Sequence, residues 1–101
     1  PEFVKKLFKV LEDDTCIDSV CWTPSGETFV VKDPSNFARF VLPKHFKHNN
    51  FASFVRQLNK YDFHKIKSTD ENKVYGDQAW EFHHPNFQLH NRSLLDGIKR
   101  K

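Results

Sequence analysis

Between Asn50 and His64 the hydrophobic and polar residues follow a helical pattern. At about 100° per residue, one side of the predicted helix is apolar and the other is polar. Asn49 or Asn50 can cap its start. The apolar side contains Phe51, Phe54, Val55, Leu58 and Tyr61, and the polar side contains Ser53, Arg56, Gln57, Lys60 and His64. The pattern therefore predicts an amphipathic helix with one face buried in a core.

Two further helices are predicted before this segment. Apolar residues at helical spacing indicate the first helix over Phe3–Leu11. The second helix begins at Asp33 or Ser35, either of which can cap it, and Pro43 ends or distorts it. Its inward stripe is predicted to contain Phe37, Phe40 and Val41.

Short β-favouring runs predict a small antiparallel sheet. Val20–Thr23 and Thr28–Lys32 flank a Pro-Ser-Gly turn and suit a hairpin. Phe63–Lys67 and Ala79–His83 predict two more strands, joined by a polar loop at Ser68–Gln78. The predicted fold is therefore α+β, a winged helix-turn-helix in which a three-helix bundle carries a small antiparallel β-sheet. Residues 1–101 are expected to form one domain.

The polar face of the third helix indicates a chemistry. Arg56 and Gln57 have the side chains best suited to bidentate contact with guanine and adenine edges in a DNA major groove. An ordinary solvated helix face would carry Glu and Lys pairs four residues apart, but this face has no Glu. The whole face, including Lys60, is therefore predicted to lie against DNA.

Charge supports this interpretation through its position rather than its total. The formal net charge of +3 is too small to indicate a partner. Between Lys44 and Lys67, however, six basic residues stand against the single acid Asp62. A charge run alone can be merely a solvated face. Combined with the Arg56 and Gln57 pair, it predicts a cationic surface that binds the phosphates of double-stranded DNA.

The two cysteines and the apolar runs limit the protein class. Cys16 and Cys21 lie five residues apart without a second pair, so neither a disulfide framework nor a zinc knuckle is indicated. Residues Cys16–Ser19 are predicted to form a connecting turn rather than a metal site. No run approaches the roughly 20 apolar residues of a membrane helix, and no secretory signal is recognisable. We expect a soluble intracellular protein.

Two other functions are compatible with parts of the sequence. An enzyme could use the histidine pairs His83 with His84 or His45 with His48, but neither HExxH nor paired CxxC motifs occur. The sequence therefore predicts no catalytic residue, no metal and no cofactor. The second rival is a winged helix that contacts only other proteins, with the acidic loop after the third helix as its binding surface.

Four strings in the sequence resemble the DNA-binding domain of heat shock transcription factors: FVKKLFKVLED, LPKHFKHNNFASFVRQLNKYDFHKIK, WEFHHPNF and LLDGIKRK. The resemblance extends from about Phe3 to Lys101. It implies binding to inverted GAA-type repeats in promoters of stress-response genes, in the nucleus. The arginine of SFVRQLN, here Arg56, would contact guanine. Phosphate contacts or support of the helix are implied for Lys47, Ser53, Gln57, Asn59, Tyr61, Lys65 and Arg100.

The same resemblance implies a homo-oligomer in the full-length protein. A coiled coil would follow Lys101, whereas the fragment alone would be monomeric or weakly associating. Heat shock factors usually have a glycine and an arginine where this chain has Asp62 and His64. The string KYDFHK is instead similar to a fungal branch of response-regulator transcription factors for oxidative and osmotic stress. Asp62 is an acid near the end of the third helix, so it is expected to repel phosphate and to affect how the helix docks on DNA, and the exact DNA sequence preference does not follow from the resemblance.

Overall fold

The computed structural model describes residues 2–66 and 78–100. In chain order its elements are α1 (Glu2–Glu12), a 3₁₀ turn (Asp14–Cys16), β1 (Val20–Trp22), β2 (Thr28–Val31), α2 (Pro34–Asn36), a π-helical segment (Phe37–Val41), α3 (Leu42–His45), α4 (Phe51–Lys60), β3 (His64–Ile66), β4 (Trp80–His83) and a C-terminal 3₁₀ helix (Arg92–Gly97). The predicted loop at Ser68–Gln78 lies outside the described residues except for Gln78.

The second predicted helix is continuous but contains a widened turn. Asp33 caps its start by accepting a hydrogen bond from the Asn36 amide at 3.1 Å. Because Pro43 has no N–H, the regular hydrogen bond at its position is missing, and the Leu42 N–H donates five residues back to the Phe37 carbonyl. The predicted distortion at the proline is therefore confirmed.

The predicted inward position of Phe40 is wrong. Phe40 is 61% exposed, whereas Phe37 and Val41 on the same segment are buried. A π-helical turn holds more residues than an α-helical turn, so it carries Phe40 away from the face that an α-helical count assigns to it.

Aromatic packing fixes the orientation of α4. Phe54 is fully buried, and its ring centroid lies 4.8 Å from that of Phe37 and 5.9–6.0 Å from those of Phe3, Phe46 and Phe51. The predicted apolar stripe is confirmed, since all five of its residues belong to the core or pack against it. Burial of this stripe turns the opposite face of α4 outward.

Within the described residues, four strands form one antiparallel sheet in the order β1-β2-β4-β3. Phe29 on β2 stacks on Phe82 of β4 at 5.5 Å, and Phe87 contacts both Phe29 and Phe8 of α1. The sheet thus packs on the helices through rings. A helix-turn-helix with a small antiparallel sheet is the predicted winged helix-turn-helix of the α+β class. No helix in residues 2–66 or 78–100 is long and apolar enough to cross a membrane.

Candidate nucleic-acid interface

The turn before α4 is built by short-range hydrogen bonds. Lys47 adopts a left-handed conformation, with a φ of 62°, at the bend after α3. The Asn50 N–H donates to His48 Nδ1 at 3.1 Å, and Asn50 Oδ1 accepts from the Ser53 N–H at 3.0 Å. Asn50 is therefore the N-cap, and α4 begins at Phe51.

Loss of this cap should weaken the whole domain. Asn50→Ala leaves the Ser53 amide without its acceptor, so we expect the free energy of unfolding to fall by about 1 kcal/mol in urea denaturation. The control is Asn49→Ala, because Asn49 is exposed and has no side-chain hydrogen bond within residues 2–66 and 78–100. Equal losses from the two variants would contradict the capping role.

The predicted extension of the helix to His64 is wrong, because α4 ends at Lys60. The Phe63 N–H donates to the Leu58 carbonyl at 3.0 Å and the Asp62 N–H to the Asn59 carbonyl at 3.1 Å. With Asp62 at a φ of 68°, these bonds form a Schellman motif. Glycine usually occupies that position, so an aspartate gives no obvious stop signal in the sequence.

His64 accordingly lies on β3 and not on the polar face of α4. Its Nε2 is 3.1 Å from Asp62 Oδ1, and both side chains are exposed. The two residues that depart from the heat shock factor pattern are therefore in contact with each other. The imidazole of His64 thus lies directly beside the acid that follows α4.

The outward face of α4 presents Arg56. This side chain is exposed and forms no ion pair or hydrogen bond with the other residues that the structure describes. Ser53, Gln57 and Lys60 are half-buried beside it, and Asn59 is exposed on the adjoining side. The structure thus brings these predicted site residues together on one helix, with a free guanidinium at their centre.

Aromatic rings position two of the flanking site residues. Lys65 Nζ lies 3.9 Å from the centre of the Trp80 ring, and Trp80 meets Phe51 edge-on at 5.4 Å. Tyr61 stacks on Phe3 at 5.4 Å, which places its ring against the core. Tyr61 therefore supports α4. Trp80 positions Lys65, a role that no pattern in the sequence indicates.

The remaining cations lie on separate segments. Lys47 is exposed in the turn before α4, and Arg100 is exposed two residues after the buried Ile98. Lys44 on α3 has its Nζ 3.4 Å from Asp13 Oδ2, so part of the predicted positive charge is compensated within the protein. Arg100 follows the C-terminal 3₁₀ helix, outside α4.

Two of the histidines considered for catalysis have structural roles. His84 is buried against the Phe63 ring, and its Nδ1 accepts the Asn86 N–H at 3.0 Å. Burial lowers the pKa of His84, which keeps it neutral at physiological pH. His48 accepts the Asn50 amide in the turn before α4. Neither arrangement resembles an acid–base pair.

Comparison with known proteins agrees with this geometry. A family model described as HSF-type DNA-binding matches residues 3–101. Transcription factor SKN7 of Saccharomyces cerevisiae is 56% identical over 99% of the chain, and the heat shock factor protein of Drosophila melanogaster is 45% identical over all of it. The chain spans only 17% and 15% of the lengths of these two relatives. The higher identity to SKN7 confirms the predicted fungal branch.

A solved structure gives the same result for the fold. The crystal structure of Chaetomium thermophilum Skn7 with SSRE DNA matches with a TM-score of 0.94 and 53% identity, and the alignment covers 100% of both chains. These relatives are transcription factors and their shared domain binds DNA, so the family is not one of enzymes. The chain belongs to the family of HSF-type DNA-binding domains.

Proposed function

We propose that this domain binds GAA-type repeats in double-stranded DNA, with α4 in the major groove and Arg56 on a guanine. The observation that carries the proposal is the exposed guanidinium of Arg56, which has no partner among the described residues. A bidentate contact to guanine O6 and N7 contributes about 1–3 kcal/mol of discrimination against other bases. Gln57, beside it on α4, can add a contact to adenine.

The flanking cations supply attraction that does not depend on sequence. Lys47, Lys65 and Arg100 are exposed and can each neutralise a phosphate, which releases condensed counterions. In the same proposal, Ser53, Asn59 and Lys60 on α4 contact the DNA backbone. In this division of roles, Arg56 selects the sequence and the flanking residues hold the domain on any duplex.

This division predicts the behaviour of Lys47→Gln. Removal of one phosphate contact should weaken binding to matched and scrambled duplexes by the same factor. It should also lower the slope of log affinity against log salt concentration by about 1. Fluorescence anisotropy titrations at several salt concentrations measure both quantities.

The matched control is Lys5→Gln, which removes an exposed lysine from the outer face of α1. This variant should leave the salt slope unchanged. A larger loss on the matched duplex than on the scrambled duplex for Lys47→Gln would assign Lys47 to base recognition and contradict the proposed roles.

In the full-length protein we propose a nuclear stress-response transcription factor that acts as a homo-oligomer. One domain covers a short half-site, and discrimination against a genome of competing sites requires several linked copies. A coiled coil outside this chain would provide the linkage.

A winged helix that contacts only proteins would not shift GAA-repeat DNA in a gel. A retarded band with this domain therefore separates DNA binding from a role in protein contacts alone.

A further inference from the structure

Three potential metal ligands from distant parts of the sequence meet beside α3. Asp13 caps the 3₁₀ turn, Cys16 ends that turn, and His45 ends α3. One ligating atom from each of these side chains lies within 4.8 Å of the other two. The sequence predicted a simple connecting turn here. The fold adds His45, which lies 29 residues after Cys16 in the chain.

The spacing of the three atoms suits a tetrahedral ion. Asp13 Oδ2 is 3.6 Å from His45 Nε2 and 3.7 Å from Cys16 Sγ. Bonds of about 2.0–2.3 Å in a tetrahedral zinc site separate the ligand atoms by about 3.3–3.7 Å. Both distances from Asp13 Oδ2 agree with that range. The third distance joins Cys16 Sγ and His45 Nε2, and rotation of one side chain can bring it into the range.

The carboxylate is already oriented for a ligand. The backbone N–H and the hydroxyl of Thr15 both donate to Asp13 Oδ1, at 2.9 and 2.7 Å. These hydrogen bonds lower the pKa of Asp13 well below its ordinary value, so the group is a carboxylate. They also leave Oδ2 directed at Cys16 and His45. Outer contacts of this kind fix the ligands of known metal sites.

The buried ring nitrogen of His45 is a second indication of a metal site. Its Nε2 is fully buried and has no hydrogen-bond partner among the described residues. The 3.6 Å separation from Asp13 Oδ2 is too long for a hydrogen bond. A buried ring nitrogen without a partner is costly, and a coordinated cation would satisfy it.

We propose that Asp13, Cys16 and His45 bind a divalent transition metal such as Zn²⁺, with water as the fourth ligand. A thiolate and an imidazole favour Zn²⁺ or Co²⁺ over Mg²⁺ and Ca²⁺, which prefer oxygen ligands. A groove lined by Lys9, Glu12, Asp13 and His45 gives solvent access to the fourth position.

Binding has a defined proton balance. Burial raises the pKa of Cys16, so its sulfur carries a proton at neutral pH in the metal-free protein. The S–H bond must break as the sulfur–metal bond forms, and the proton passes to solvent. The metal also takes over Asp13 Oδ2 from Lys44, whose exposed ion pair with it is weak.

Titration with Co²⁺ tests the site, because thiolate-bound Co²⁺ gives an intense near-ultraviolet charge-transfer absorption. We expect this absorption in the wild-type domain and in Cys21→Ser, the control at the second free cysteine, and its loss in Cys16→Ser. His45→Gln and Asp13→Asn should weaken Co²⁺ binding by more than about tenfold, since even outer-shell changes can cost that much. Zn²⁺ should abolish the absorption by competition.

Circular dichroism of the metal-free variants establishes whether each one folds. If Cys16→Ser does not fold, His45→Gln carries the test, because His45 is only partly buried. The proposal is overturned if the wild-type domain gives no charge-transfer absorption, if Cys21→Ser loses it, or if His45→Gln binds Co²⁺ as tightly as the wild type.

Discussion

Arg56→Ala is expected to remove most of the discrimination between a GAA-repeat duplex and a scrambled one. The variant loses the bidentate guanine contact, so the affinity ratio of the two duplexes should fall by about 5- to 150-fold, equivalent to about 1–3 kcal/mol. Binding to the scrambled duplex should change far less. Anisotropy titrations of both duplexes at one fixed salt concentration measure the ratio.

Arg56→Lys separates the geometry of the side chain from its charge. Lysine keeps the positive charge but lacks the planar fork of donors, so this variant should retain the salt slope and still lose much of the discrimination. Because Arg56 is exposed and unpaired among the described residues, neither variant should alter the stability of the fold by more than about 0.5 kcal/mol. Retention of full discrimination in Arg56→Lys would show that charge alone explains the role of Arg56.

Phe54→Ala is expected to cause the largest loss of stability. The Phe54 ring is fully buried and contacts the rings of Phe3, Phe37, Phe46 and Phe51. Its truncation removes apolar burial and leaves a cavity, at a cost of about 3–5 kcal/mol. Small domains have a free energy of unfolding of about 5–15 kcal/mol, so Phe54→Ala alone can remove much of the stability of this domain. Urea denaturation followed by circular dichroism measures the loss.

Phe40→Ala is the matched control for that experiment. Phe40 is the same residue type and lies in the helical segment that precedes α3, but it is 61% exposed, and the guanidinium of Arg39 lies 5.3 Å from the centre of its ring. Its loss should change the free energy of unfolding by less than about 0.5 kcal/mol. A loss as large as that of Phe54→Ala would mean that Phe40 is buried, as the α-helical count had predicted.

Local patterns predicted the elements that depend on near neighbours in the chain. The apolar stripe of α4, the cap at Asn50 and the hairpin of β1 and β2 all follow from residues within a few positions of each other. Arg56 could be selected for the same reason. Once five apolar residues define the buried face of a helix, the positions opposite them must point outward.

The two wrong predictions, the helix end at His64 and the inward position of Phe40, concern places where the backbone leaves its regular geometry. Asp62 takes the left-handed position that glycine usually fills, so the sequence continued to look helical as far as His64. Pro43 distorts its helix into a π-helical turn, as one of the two predicted outcomes, but the sequence did not show that this turn would carry Phe40 to the surface. Helical periodicity assumes a fixed number of residues per turn. It therefore cannot detect a left-handed residue that ends a helix or a turn that is wider than an α-helical one.

Contacts between distant segments could not be predicted at all. The approach of His45 to Asp13 depends on how α3 packs against the end of α1, and the contact of Lys65 with Trp80 depends on the register of β3 and β4. No spacing in the sequence encodes either pairing. This is why the sequence predicts only a connecting turn at Cys16–Ser19 and does not relate His45 to it.

A thermodynamic cycle between the Arg56 side chain and guanine N7 tests the proposed base contact most directly. The half-site guanine is replaced by 7-deazaguanine, which lacks the N7 acceptor, and affinity is measured for the wild-type domain and for Arg56→Ala. We expect the modified base to weaken wild-type binding but to have almost no effect on Arg56→Ala, because the contact is already absent in that variant. Equal weakening of both proteins would contradict a contact between Arg56 and guanine.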